Sequence, residues 1–175
     1  MTIWNIDPAH TDVGFSVKHM MVSKVKGSFA GIKGQVTGDP LKLEDAKISL
    51  EIDPDTINTN QEARDNHLRS EDFFHIEEHP IIEFDSTDIT EAKEDEYKVT
   101  GNLTIKGVTK PTTFRLERTG SGVMPSGTEV VGFEGSTSIS RKEFGLTWNQ
   151  VLETGGVMVG DDIKINVDVQ VNPAE

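Results

Sequence analysis

The sequence predicts an all-β protein, a closed antiparallel barrel of eight or more strands with one helix laid against it. Three observations carry this. Apolar and polar residues alternate along most of the chain, the period of a half-buried strand. Short turns bearing glycine, proline or acidic residues separate the alternating runs. One stretch breaks the pattern: R-D-N-H-L-R-S-E-D-F-F-H-I-E-E-H-P, from Arg64 to Pro80, has Ala63, His67 and Leu68 at helical spacing and no Pro or Gly from Gln61 to His79. A single helix among strands is read as a lid over whatever the strands enclose. A barrel removes exposed sheet edges and suits the strand count. A two-sheet sandwich shares the periodicity and stays open.

Trp4 and Ile6 make a short first strand that stops at Asp7-Pro8. From Asp12, residues Val13, Phe15 and Val17 share one face, and His19-Met20-Met21-Val22 extends them as an apolar patch. Between about Lys24 and Gly38 the phase changes, with Val25 and Phe29 odd but Ile32 and Val36 even. A slip beside Gly27 and Gly31 reads as a β-bulge. Ile48, Leu50 and Ile52 alternate as far as Pro54. After the helical stretch, Ile82 and Phe84 open a strand towards Ile89, followed by an acidic turn from Glu91 to Glu96.

Val99, Gly101, Leu103 and Ile105 then face one way, and a turn is expected from Gly107 to Pro111. Phe114 and Leu116 mark the next strand. A Gly/Ser/Pro-rich loop is expected from Gly120 to Gly127, before Val131, Phe133, Gly135, Thr137 and Ile139. Phe144 to Trp148 reads as a short strand leading to a glycine loop around Gly155-Gly156 and Gly160. Ile163, Ile165, Val167, Val169 and Val171 close the chain with the clearest alternation.

The 175 residues make one domain, residues 1–175, long enough to wrap one cavity. With no cysteine there is neither disulfide nor thiolate metal site. A formal charge of −13 argues against nucleic acid and against docking on an anionic membrane surface. No run reaches the length of a membrane span, so no stable membrane insertion is expected. M-T-I-W-N-I-D-P lacks the regions of a signal peptide, and with Met1 as the start the expected location is cytoplasmic. Outward positions are mostly polar, which leaves monomer and homodimer both open.

Gly34, Gly101 and Gly135 fall in phase with inward residues. A packed core wants such positions filled, whereas a channel for an elongated apolar ligand wants them empty. Bulges or barrel corners also place glycine there, and the two readings weigh evenly. Phe15, Phe84, Phe114 and Phe133 are core, or line a lipid site if the interior is hollow. Trp148 shares this ambiguity.

Candidate chemistry is thin. His75-Ile76-Glu77-Glu78-His79 fits the H-x-x-E-H zinc pattern. Pro80 follows directly, which puts His79 at a helix end where the residue before proline avoids helical geometry. Both histidines are read as solvated or hydrogen-bonded surface residues, and no metal or cofactor is assigned. His67 with Asp65 and Asp72 is an acid/base candidate, although Asp65 and His67 point to different helix faces. Ser23, Ser70 and Ser86 lie in no nucleophile elbow, and no glycine cluster has phosphate-loop spacing. Arg64 and Arg69 could hold an anionic or polar head group at a barrel mouth. Pairing with Glu62, Asp65, Glu71 or Asp72 is the plainer reading.

Several separated motifs in order give the chain a family resemblance. They are W-N-I-D-P-A-H-T-D-V-G-F-S-V-K-H-M-M-V-S-K-V-K-G-S-F, R-D-N-H-L-R-S-E-D-F-F with the trailing His79-Pro80, G-N-L-T-I-K-G-V-T-K-P, S-R-K-E-F-G-L-T-W-N and G-D-D-I-K-I-N-V-D-V-Q-V. With these the sequence resembles, over essentially its whole length, the YceI-like family of lipid- and polyisoprenoid-binding proteins. The resemblance implies an eight-stranded lipocalin-like antiparallel barrel with a long apolar channel. It implies binding of an isoprenoid, or a comparable fatty acid or amide, without catalysis, with the helical motif across or beside one end. Many relatives carry an export signal, which this N-terminus lacks.

The expected ligand-binding set is therefore Phe15, Val17, Gly34, Phe84, Gly101, Leu103, Phe114, Phe133 and Gly135 on the wall. Arg64, His67 and Arg69 would meet the head group at the mouth, Phe73 as a buried anchor and Trp148 complete the set, and the helix and the Gly155 to Gly160 loop would gate entry. Two rivals remain: an enzyme acting on a lipid head group through His67 and a carboxylate, and a stress-response protein with a filled barrel.

Overall fold

A computed structural model describes residues 2–19, 22–149 and 159–174. The strands are β1 (Ile3–Ile6), β2 (Asp12–His19), β3 (Ser23–Phe29), β4 (Ile32–Thr37), β5 (Lys47–Ile52), β6 (Ile82–Lys93), β7 (Glu96–Ile105), β8 (Val108–Val123), β9 (Glu129–Ser140) and β10 (Val159–Pro173), with one α-helix, α1 (Glu62–Arg69). They form one antiparallel sheet in the order β1-β4-β5-β6-β7-β8-β9-β10-β2-β3, closed by β1 pairing with β10. β1 and β2 both run along β10, one after the other, and act as one bent stave. β3 and β4 make the next, pairing with β2 and β1 in turn. The ring is thus an eight-stave barrel, and the sandwich alternative is excluded.

The phase slip at Gly31 is a break between two strands, not a bulge within one. The Ala30 and Gly31 amides leave the ladder and donate to Thr56 Oγ1 at 3.1 and 3.0 Å. A Cβ on Gly31 would lie 2.9 Å from Asp53 Cβ and from Thr56 Cγ2, so only glycine lets the 3-10 turn at Pro54–Thr56 approach this closely. Beyond the break, β3 pairs with β2 on one side only, and its other edge is met by a bridge from Ser28 to Asn58.

That bridge leads into α1, which is shorter than the sequence suggested. Eight residues are too few for a helix that stands alone. Buried Asp65 anchors it by accepting from Thr59 N at 2.9 Å and from Thr59 Oγ1 at 2.5 Å. The helix stops at Arg69 with neither Pro nor Gly: Ser70 turns extended, and its backbone N–H and hydroxyl both donate to the His67 carbonyl. The chain then doubles back, with Phe74 N donating to Leu68 O at 2.9 Å, which turns Phe73 and Phe74 inward.

Three other expectations are corrected. The turn before β8 is only Lys106–Gly107, and Pro111 lies within β8 opposite Asn102. The loop expected from Gly120 to Gly127 is largely strand, because β8 runs to Val123 and the turn begins at Met124. Phe144 to Trp148 is not a strand: a 3-10 turn spans Arg141–Phe144, and irregular chain follows.

Candidate functional site

The barrel encloses a cavity of about 630 Å³. Inward positions of the staves supply its wall, among them Phe15, Val17, Phe84, Leu103, Phe114 and Phe133. Aromatic rings meet inside it: Phe84 lies edge-on to Phe114 at 5.1 Å between centroids, and Phe15 meets Phe29 at 5.6 Å.

One end is shut. Leu43, wholly buried in a 3-10 turn at Leu43–Asp45 that packs against β6, lines the cavity at this end. Arg118 secures this end by donating to Tyr97 Oη at 3.1 Å and to Pro40 O at 3.3 Å, and by pairing with Asp95.

The other end carries α1. Ala63, Arg64, His67 and Leu68 face the cavity from the helix, joined by Phe73, Phe74 and Trp148. The His67 ring stands edge-on between Trp148 at 4.7 Å and Phe73 at 5.1 Å, and its Nε2 lies 2.9 Å from Asp72 Oδ2. Asp72, not Asp65, is therefore the carboxylate that meets His67.

The Trp148 segment is held by a residue that sequence reasoning did not assign. Arg141 is 2% exposed. Its guanidinium donates to the carbonyls of Leu146, Trp148, Val159 and Gly160 at 2.5 to 3.3 Å. Burial pushes its pKa down, opposed by the nearby Asp161 carboxylate. The motif S-R-K-E-F-G-L-T-W-N contained this arginine, but nothing in its spacing says that five residues later the chain folds back over it.

Ten of the fourteen expected site residues line the cavity: the four Phe of the strands, Val17, Leu103, Arg64, His67, Phe73 and Trp148. Arg64 does so with its head group committed, Nε to Thr59 Oγ1 at 2.8 Å and Nη2 to Thr59 O at 2.7 Å. The acidic pairing expected for it is replaced by this contact. Arg69 does not line the cavity; it pairs with Asp55 at 3.2 Å and donates to the Asp55 and Ile57 carbonyls. The three inward glycines do not line it either, because neighbours fill the space they leave. A Cβ on Gly101 would fall 2.7 Å from the Phe84 ring, one on Gly34 2.5 Å from Ile6, and one on Gly135 2.7 Å from Val167. They mark close approach, not channel width. The proposed gate from Gly155 to Gly160, save Val159 and Gly160, and Met20-Met21 of the apolar patch lie outside the described residues.

Among the described residues no helix is long and apolar enough to cross a membrane. In comparisons with known proteins, the YceI-like domain matches residues 4–171. A UPF0312 protein of Staphylococcus aureus is 43% identical, the match covering all of both chains. BcnA of Burkholderia cenocepacia superposes with a TM-score of 0.82 at 25% identity, covering 94% of this chain and 98% of that one. The YCEI protein of Campylobacter jejuni gives 0.77 at 34% identity, covering 97% and 96%. A polyisoprenoid binding domain from Saccharophagus degradans shares the fold with a TM-score of 0.71 at 12% identity, covering 99% and 100%. The match across nearly the whole chain, joined to the closed barrel and its apolar interior, makes this protein a member of the YceI-like family.

Proposed function

We propose that this protein binds one long apolar lipid, a polyisoprenoid or a fatty acid or amide, and sequesters or carries it without catalysis. The observation that carries this is the cavity itself: about 630 Å³, walled almost wholly by aliphatic and aromatic side chains, in the size range of small-molecule sites. Each methylene moved from water into such a wall gains about 0.8 kcal/mol, so a long tail needs few polar contacts. The Saccharophagus degradans domain is described as polyisoprenoid-binding. That likeness carries the fold, and the ligand class here rests on the cavity.

Uptake of an environment-sensitive apolar dye by the full-length chain, followed by displacement with a polyprenol or a long-chain fatty acid, tests the reading. Saturable uptake and displacement at one molecule per chain are expected. A chain that takes up no dye has a filled barrel.

The His67–Asp72 pair beside the cavity keeps one rival concrete, an acid/base enzyme acting on a lipid head group. On the binding reading, His67→Ala retains most of the affinity. An enzyme would instead lose turnover of its substrate.

A further inference from the structure

We propose that His75, Glu78 and His79 form a binding site for one divalent transition-metal ion of the zinc class, on the outer edge of the cap. The sequence argued against a metal here because Pro80 would leave His79 at a frayed helix end. The structure removes that objection, since no helix reaches this segment. Residues 75–79 fold instead as one tight turn, in which the amides of Glu78 and His79 both donate to the His75 carbonyl, at 3.1 and 2.9 Å. His75 takes a left-handed backbone, φ 49°, to make it.

This turn brings three ligand atoms, one from each side chain, within 4.8 Å of one another. His75 Nδ1 lies 3.9 Å from Glu78 Oε2, and the two imidazole rings stand 5.9 Å apart at 77°. Donor atoms around a tetrahedral zinc lie roughly 3.3 Å apart, so small side-chain adjustments, chiefly of the exposed Glu78 carboxylate, bring three protein donors to that spacing and leave the fourth position to solvent. The two imidazoles stand on the same turn. Both are half-buried, and the His79 ring rests on the turn between β7 and β8, where a Cβ on Gly107 would lie 2.9 Å from its Cε1. Among the described residues neither ring makes a hydrogen bond, and the only charged partner is Glu78 at 3.9 Å from His75.

Two imidazoles and one carboxylate suit Zn²⁺, Ni²⁺ or Cu²⁺ and discriminate against the all-oxygen preferences of Ca²⁺ and Mg²⁺. With Glu78 among the ligands, it is not the general base that the H-x-x-E-H hydrolase pattern requires. The site therefore binds without cleaving. Its ion would fasten the turn that joins the cap to β6, next to the contact in which Lys106 Nζ donates to Glu71 O at 3.1 Å.

The test is calorimetric titration of the chelator-stripped full-length protein with ZnCl₂, with CaCl₂ and MgCl₂ as controls, and thermal melts with and without zinc. One zinc per chain, a raised Tm and no comparable response to calcium or magnesium are expected. Two variants are read alongside: His79→Ala, and Glu78→Gln, an exposed change that leaves the fold in place. Each should weaken zinc binding at least tenfold without altering the metal-free Tm appreciably. His75→Asn, which tolerates the left-handed turn, replaces His79→Ala if that variant fails to fold. Absence of zinc binding, or binding undiminished in the variants and hence due to the acidic surface of a chain of charge −13, overturns the proposal. Neither readout depends on the lipid.

Discussion

Where Leu43 plugs the barrel, ladder and plug close it together: β1, β4 and β5 pair side by side, and Arg118 ties Tyr97, Pro40 and Asp95 into one knot. Where α1 lies, the ladder opens. Among the described residues β3 has no strand neighbour beyond β2, and the gap is spanned by an eight-residue helix, edge-on aromatic contacts and carbonyls gathered by one buried arginine. The difference is physical. Apolar burial and continuous pairing open only with the whole fold, whereas a short helix and a few polar clips open locally at lower cost. On the proposed reading, the plugged end stays fixed and the helix end is the one through which an apolar chain would pass.

The contrast is broken most forcefully at the fixed end. Leu43→Ala should lower unfolding free energy by about 3 kcal/mol, as expected for a wholly buried leucine, measured by urea denaturation. It should leave the dissociation rate of a bound apolar probe nearly unchanged. A large rise in that rate would mean that both ends exchange ligand.

Trp148→Ala probes the cap with the opposite signature. Loss of its contacts with His67 and Phe73 should raise the probe's dissociation rate about tenfold in stopped flow, about 1.4 kcal/mol, with global stability altered by less than that. Equal effects on stability and release would show that the cap is no separate unit.

The smallest effect lies at Asp7, where the first stave bends from one end towards the other. A hydrogen bond with His10 is the main cause holding its carboxyl pKa below the usual value, helped by the Ala9 amide and opposed by burial. A depressed carboxyl pKa adds stability above the unfolded value of about 3.9, and that stability is lost as pH falls through the lower folded value. Asp7→Asn should therefore be less stable than the parent at pH 6 and indistinguishable from it once pH is below the folded pKa. Denaturation midpoints across that range check the sign.

The regular staves were legible because each buries one face: β10 and β7 alternate as cleanly in burial as in sequence. The end of β8 was not, since residues 120–123 are exposed on both faces and carry no alternation. Pro111 misled because a proline usually breaks a ladder. Here β8 pairs only with β7 at that height, and β9 joins from Arg115 onward, so its missing N–H falls on an edge. The helix end was hidden in a Ser70 hydroxyl bond, and Arg141 in contacts set by tertiary folding. The inward glycines were ambiguous for the same reason: whether a neighbour's ring covers the gap depends on packing, which periodicity does not encode.

On the proposed reading this interior holds one apolar chain, admitted past the cap. Native mass spectrometry of the purified protein, followed by organic extraction, tests it most directly. A single discrete added mass per chain, lost on extraction and belonging to a polyprenyl or long acyl molecule, is expected. A bare mass, with no uptake after incubation with polyprenols or fatty acids, would contradict it.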